Sequence, residues 1–89
     1  MNNGVNKTLR KIFQKVVPAK IDWNRIETMI HQLGGQIKMD ENHKHAWVTL
    51  NNGERGYFPV NHFHFLEGRG HVVKFKKFLD HNGITPEPA

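Results

Sequence analysis

The stretch His45-Ala46-Trp47-Val48-Thr49-Leu50-Asn51-Asn52-Gly53-Glu54-Arg55-Gly56-Tyr57-Phe58-Pro59-Val60 decides how this chain folds. An Asn-Gly turn signal separates two runs of strand-forming residues, the pattern of a β-hairpin. Ala46, Val48 and Leu50 form one apolar set, and His45, Trp47 and Thr49 face the other way. Loop length then fixes the partners across the hairpin. A two-residue Asn52-Gly53 loop would set Trp47 against Phe58 and Val48 against Tyr57. A three-residue loop, Asn51 to Gly53 with Gly53 left-handed, sets Ala46 with Phe58, Val48 with Gly56 and Trp47 with Tyr57. The second register keeps the small apolar residues together and puts the amphipathic rings on the open face, so it is the one expected.

Working outward, Gln36 to Asp40 alternates in the same way. Ile37 and Met39 lie on one side, and Gln36, Lys38 and Asp40 on the other, which adds a third strand. A helix precedes it, with Asp22 as N-cap, Trp23, Ile26, Ile30 and Leu33 at helical spacing, and Gly34-Gly35 as a left-handed stop. Trp23 reads as a core anchor. A first helix is expected from Lys7 to Val17, capped by Asn6 and stopped by Pro18, with Leu9, Ile12, Phe13 and Val16 on its apolar face. A last helix is expected from His71 to Asn82. It turns Val72, Phe75, Phe78 and Leu79 inward and Lys74, Lys77 and His81 outward, and it ends on Gly83 with Ile84 packed back.

Asn61 to Gly70 reads as an irregular loop. Residues 1–6 and 86–89 read as flexible ends around one domain, 7–85, with no internal repeat. The expected fold is α+β in the order α-α-β-β-β-α, a three-stranded antiparallel sheet with helices on one face.

The 89 residues suit one modest core. Thirteen Lys and Arg against eight Asp and Glu give a net charge of +5, and the sequence pI is about 9.8. This balance favours an anionic partner, RNA foremost. No acidic residue occurs from Met1 to Ile21, so Lys7, Arg10 and Lys11 are candidate phosphate contacts. Lys38, Trp47, Arg55 and Tyr57 interleave cations and rings on the open sheet face, as RNA binders do. The same residue types also suit a protein partner.

The chain has no cysteine, which excludes disulfide scaffolds and cysteine-ligated zinc. It has no serine either, so Ser and Cys nucleophile chemistry is excluded. Met1 to Asn6 is polar and holds no signal-peptide run, and no stretch approaches the roughly 20 apolar residues of a bilayer span. The expectation is a soluble, cytoplasmic protein without membrane contact.

Seven histidines include two alternating motifs, His43-Lys44-His45 and His62-Phe63-His64, on either side of the hairpin. Imidazole, with an ordinary pKa of about 6.5, both takes and gives a proton near neutrality. Next to cations, such residues suit acid–base work on a polyanion. A metal reading, with these four imidazoles as ligands, is weaker because no acidic or cysteine ligand accompanies them.

The pattern Trp23-x-x-Ile26-x-x-x-Ile30-x-x-Leu33-Gly34-Gly35 resembles the opening helix and glycine stop of the HicA toxin family. The His45 strand, the Asn-Gly turn, the His62 segment and the closing Asn82-Gly83-Ile84 follow in that family's order. The resemblance covers about residues 20 to 85 and is closest to the subgroup with an extra N-terminal helix. It implies a double-stranded-RNA-binding-domain-like fold, a ribosome-independent endoribonuclease acting on mRNA, and a HicB-like antitoxin as partner. The family's Gly-Ser-His motif corresponds to Asn42-His43-Lys44-His45 here, which makes His45 the catalytic residue carried over. The Gly-Ser is absent, and the family's Pro-His-Pro corresponds to Asn61-His62-Phe63.

RNA is cut without a metal or cofactor when the 2′-hydroxyl attacks the adjacent phosphate. The reaction needs a base, an acid and a cation for the phosphorane. His45 is the first candidate. His43, and His62 or His64, are candidates for the second titrating group. Lys44, Lys38 and Arg55 are the candidate cations. The alternative is a non-catalytic RNA- or protein-binding module that keeps the fold and has lost the site.

Overall fold

Apolar spacing accounts for most of the architecture seen in the computed structural model, which describes residues 3–41 and 44–87. The elements run α1 (Asn3–Ile12), β1 (Lys20–Asp22), α2 (Trp23–Gln32), β2 (Gln36–Met39), β3 (His45–Thr49), β4 (Arg55–Pro59), β5 (Phe65–Glu67) and α3 (Arg69–His81). The fold is α+β, with an antiparallel sheet ordered β2-β3-β4 and a separate ribbon of β1 and β5.

The three-residue hairpin loop is the one formed. Ala46 faces Phe58, Trp47 faces Tyr57 and Val48 faces Gly56. Leu50 N donates to Glu54 O at 2.8 Å, closing the loop around Gly53 at φ +90°. Gly56 has a packing role, since a Cβ there would lie 2.5 Å from the Phe58 ring. That ring is buried and meets Phe75 of α3 edge-on at 5.0 Å.

Ala46, Val48 and Phe58 supply the sheet's part of the core, against Ile26, Met29 and Ile30 of α2 and Val72, Phe75 and Leu79 of α3. Burying each large apolar side chain stabilises the fold by about 1.5–3 kcal/mol relative to exposure. Trp23 is fully buried, as an anchor should be, although its indole N–H has no acceptor among the described residues.

Helix α2 begins where Asp22 Oδ1 accepts from Asn24 N at 2.9 Å. It ends in a Schellman motif, with Gly35 N on Ile30 O, Gly34 N on His31 O and Gly34 at φ +83°. The same pair of bonds closes α3 at Gly83 and Ile84, and Ile84 packs back on the core.

The first helix departs from expectation. It spans Asn3–Ile12 rather than 7–17, and Asn6 lies inside it instead of capping it. Its buried stripe is Val5, Thr8, Leu9 and Ile12, while Val16 is 74% exposed. Two causes act together. Val5 extends the Leu9–Ile12 stripe by one turn toward the N-terminus. At the other end Pro18 disfavours helix at Val17, and the β-branched Val16-Val17 pair adds to that. Residues 3–6 and 86–87, expected to be flexible, are described in place, and Glu87 N donates to Asn6 Oδ1 at 2.7 Å.

The loop expected from Asn61 to Gly70 contains β5 and the start of α3. Ile21 pairs with Leu66, and both side chains are buried. Gly68 N donating to Ala19 O at 2.7 Å and Arg69 Nε donating to Val17 O extend this join between distant parts of the chain.

Candidate nucleic-acid interface and histidine cleft

Alternation along β3 and β4 puts His45, Trp47, Arg55 and Tyr57 on the sheet face away from the helices, where they form a continuous strip. The Arg55 guanidinium lies 4.5 Å over the Trp47 ring. Trp47 meets Tyr57 at 4.6 Å, tilted by 48°, and Tyr57 stacks on His45 at 4.9 Å with the planes 4° apart. Trp47 keeps 37% of its surface exposed. Lys38 on β2 is exposed and stands opposite Trp47 in the ladder.

The Tyr57 hydroxyl donates to Asp40 Oδ2 at 2.5 Å. This bond, helped by one from Glu41 N, holds the Asp40 carboxyl below its usual range and raises the Tyr57 phenol above its own. Asp40 N also donates to His45 O at 2.8 Å, so one residue fixes the strand end and the ring stacked on it.

His45 also belongs to a second feature. With Lys44, Asn61, His62, Glu67 and His71 it lines a cleft of about 380 Å³ at the end of the strip. Pro59 and Val60 complete the wall. Three imidazoles, an ammonium and a carboxylate thus surround one space. His45 Nδ1 is buried without a hydrogen-bond partner among the described residues, so nothing described there fixes its tautomer.

Asn61 organises the other wall. Its Oδ1 accepts from Phe63 N at 3.1 Å and Phe65 N at 2.9 Å, and its Nδ2 donates to Glu67 Oε2 at 2.7 Å. This is an Asx-type turn. It keeps residues 61–64 from being a strand, so His62 and His64 do not share a side. His62 lines the cleft and packs on Phe63 at 3.9 Å. His64, at φ +68°, approaches Glu27 Oε1 of α2 at 3.2 Å. The four-imidazole arrangement is therefore not formed by His45, His62 and His64. No group of three His, Asp or Glu among the described residues is placed to hold a metal ion.

His71 and Glu67 are cleft residues that spacing alone did not single out. His71 reaches it from the first turn of α3. Gly68, at φ +104°, allows this, because a Cβ there would sit 3.1 Å from His71 Cδ2. The only local signal was the Gly68-Arg69-Gly70 entry. What brings both residues to the cleft is the pairing of β5 with β1.

Among the expected site residues, the structure brings His45, His62 and Lys44 together in the cleft. Trp47, Arg55 and Tyr57 meet on the strip, with Lys38 beside them. Lys7, Arg10 and Lys11 are exposed on α1, which packs on α2, and Lys7 borders the groove between those helices rather than the open sheet face. His43 lies outside the described residues. No described helix is long and apolar enough to cross a membrane. No family model, curated protein or solved structure matches this chain.

Proposed function

We propose that this protein is an endoribonuclease of the HicA type, acting on mRNA in the cytoplasm and controlled by a HicB-like antitoxin that covers the ring strip. The observation that carries the reading is the double position of His45, which ends a strip of rings and cations and also lines a cleft with His62, His71 and Lys44. A base stacked on Trp47 or Tyr57 places the adjoining phosphate near imidazoles. The double-stranded-RNA-binding-domain-like grouping of the fold rests on the resemblance of residues 20 to 85.

The chemistry these side chains support is internal phosphoryl transfer. One neutral imidazole takes the 2′-hydroxyl proton as the O2′–P bond forms. A protonated imidazole gives its proton to O5′ as the P–O5′ bond breaks. The products are a 2′,3′-cyclic phosphate and a 5′-hydroxyl, with the charge of the phosphorane facing Lys44. His45 supplies one transfer and His62 or His71 the other. Metal and cofactor are not needed for any of these roles.

The test is cleavage of a short single-stranded RNA in EDTA, with circular dichroism on each protein. Removing one acid–base group costs about 10²–10⁴ in rate, so His45→Ala should lose at least about 100-fold while keeping its spectrum. Full activity in that variant would sink the assignment. RNA binding without cleavage by the unaltered protein supports the alternative, a non-catalytic binding module, which needs the strip and not the cleft.

A further inference from the structure

Each of two cleft imidazoles is backed by an aromatic ring. His45 lies against Tyr57, and His62 lies against Phe63. Phe63 is 70% exposed, against 37% for Trp47, the next most exposed large apolar ring among the described residues. Nothing in the core explains Phe63. Its turn is nonetheless well fixed, by the Asn61 side chain and by the bonds of His64 N to Asn61 O at 2.9 Å and Asn61 N to Phe65 O at 3.0 Å. An apolar ring carried on a hydrogen-bonded turn and exposed beside the histidine cleft is placed for a flat partner, and the ordered backbone lowers the entropy lost on stacking.

We infer that Phe63 is a second base-binding subsite, and that the substrate is a single-stranded dinucleotide step splayed across the cleft. One base stacks on the exposed Trp47, the next on Phe63, and the phosphate between them meets His45 and His62. This rests on the endoribonuclease reading and names its substrate class. In-line attack requires O2′, phosphorus and O5′ to align, and a stacked helical step holds them out of line. Separating neighbouring bases onto two ring platforms releases that constraint, as in other recognition of unstacked RNA.

The experiment compares the full chain with Phe63→Ala, Phe63→Leu and Phe63→Trp, on one short RNA offered as a single strand and as a duplex. Base stacking on a ring is worth about 1–3 kcal/mol, so Phe63→Ala should weaken single-strand binding by about 5- to 150-fold with Tm unchanged. Phe63→Trp should restore binding, and Phe63→Leu should behave like the alanine variant, because it keeps bulk and lacks a π-face. The unaltered protein should cut the single strand faster than the duplex. Wild-type binding by Phe63→Ala or Phe63→Leu overturns the subsite, and equal cleavage of duplex and single strand overturns the splayed step. If the unaltered protein cuts neither RNA, the endoribonuclease reading fails, and the binding series still decides whether Phe63 holds a base. Absence of any RNA binding overturns both.

Discussion

The two walls of the histidine cleft are built by different means. His45 stands at the end of β3, held by ladders to strands on both sides and by a buried face that includes Ala46, Val48 and Phe58. His62 stands on a turn whose shape depends on the side chain of Asn61 and on a three-residue strand paired far back in the chain. Sheet and core give the first wall the stability of the whole domain. Exposed hydrogen bonds give the second a local stability that is lost without global unfolding. The cleft thus joins one imidazole on a sheet-built wall and one on a turn-built wall, and substitutions should separate them.

The largest effect is expected at the core under the His45 wall. Phe58→Ala removes a ring that meets Phe75 edge-on and packs by Phe78. Phe→Ala in a core costs about 3–5 kcal/mol, much of the roughly 5–15 kcal/mol that holds a small domain together. Urea unfolding with both tryptophan fluorescence and circular dichroism should show one cooperative transition at a much lower midpoint. A loss below about 1 kcal/mol would mean that the hairpin is not the part of the fold that carries stability.

A smaller and local effect is expected at the other wall. Asn61→Ala removes bonds to Phe63 N, Phe65 N and Glu67, each contributing about 0.5–1.5 kcal/mol at most, less where solvent competes. With solvent competing for these bonds the total loss is about 1 kcal/mol, so Tm should fall by about 4–8 °C, while RNA cleavage should fall further as His62 and Phe63 lose their positions. Amide exchange should accelerate at Phe63 and Phe65 and stay slow at Val48. Global unfolding in this variant, or unchanged cleavage, would erase the distinction between the walls.

The same contrast explains what could be read from the chain. The hairpin was legible because its information is local. The Asn-Gly turn and the alternation of Ala46, Val48 and Phe58 against Trp47 and Tyr57 admit few registers, and one keeps apolar residues on a single face. Both Schellman ends were legible for the same reason, each marked by glycine at the required φ. In α1 the helical phase was legible through Leu9 and Ile12, but its window was not, because Val5 sits among polar residues and Val16 mimics a continuation of the stripe. The β1–β5 ribbon left almost no local trace. Three residues cannot show a period, and Ile21 becomes a strand residue only when Leu66 arrives beside it. His71 and Glu67 were missed for that reason, since tertiary pairing brings them to the cleft.

The smallest effect is expected at Asp40, and it tests whether the rigid wall owes its ring strip to the ladder or to a side-chain bond. The Tyr57–Asp40 bond lowers the carboxyl pKa and raises the phenol pKa, chiefly through the hydrogen bond itself. The depressed carboxyl contributes stability above its unfolded value near 4, and this is lost as pH falls through the lower folded value. The raised phenol contributes stability below its unfolded value near 10, and this is lost as pH rises through the higher folded value. The difference in stability between the unaltered protein and Asp40→Asn should therefore be flat between these limits and shrink outside them. Phenolate absorbance should show Tyr57 ionising at lower pH in the variant, closer to the ordinary value. Because Trp47 and Tyr57 face each other through the backbone register, RNA affinity at neutral pH should change little. A large loss of affinity in Asp40→Asn, with the fold intact, would show that the bond, and not the ladder, sets the ring strip proposed to hold RNA.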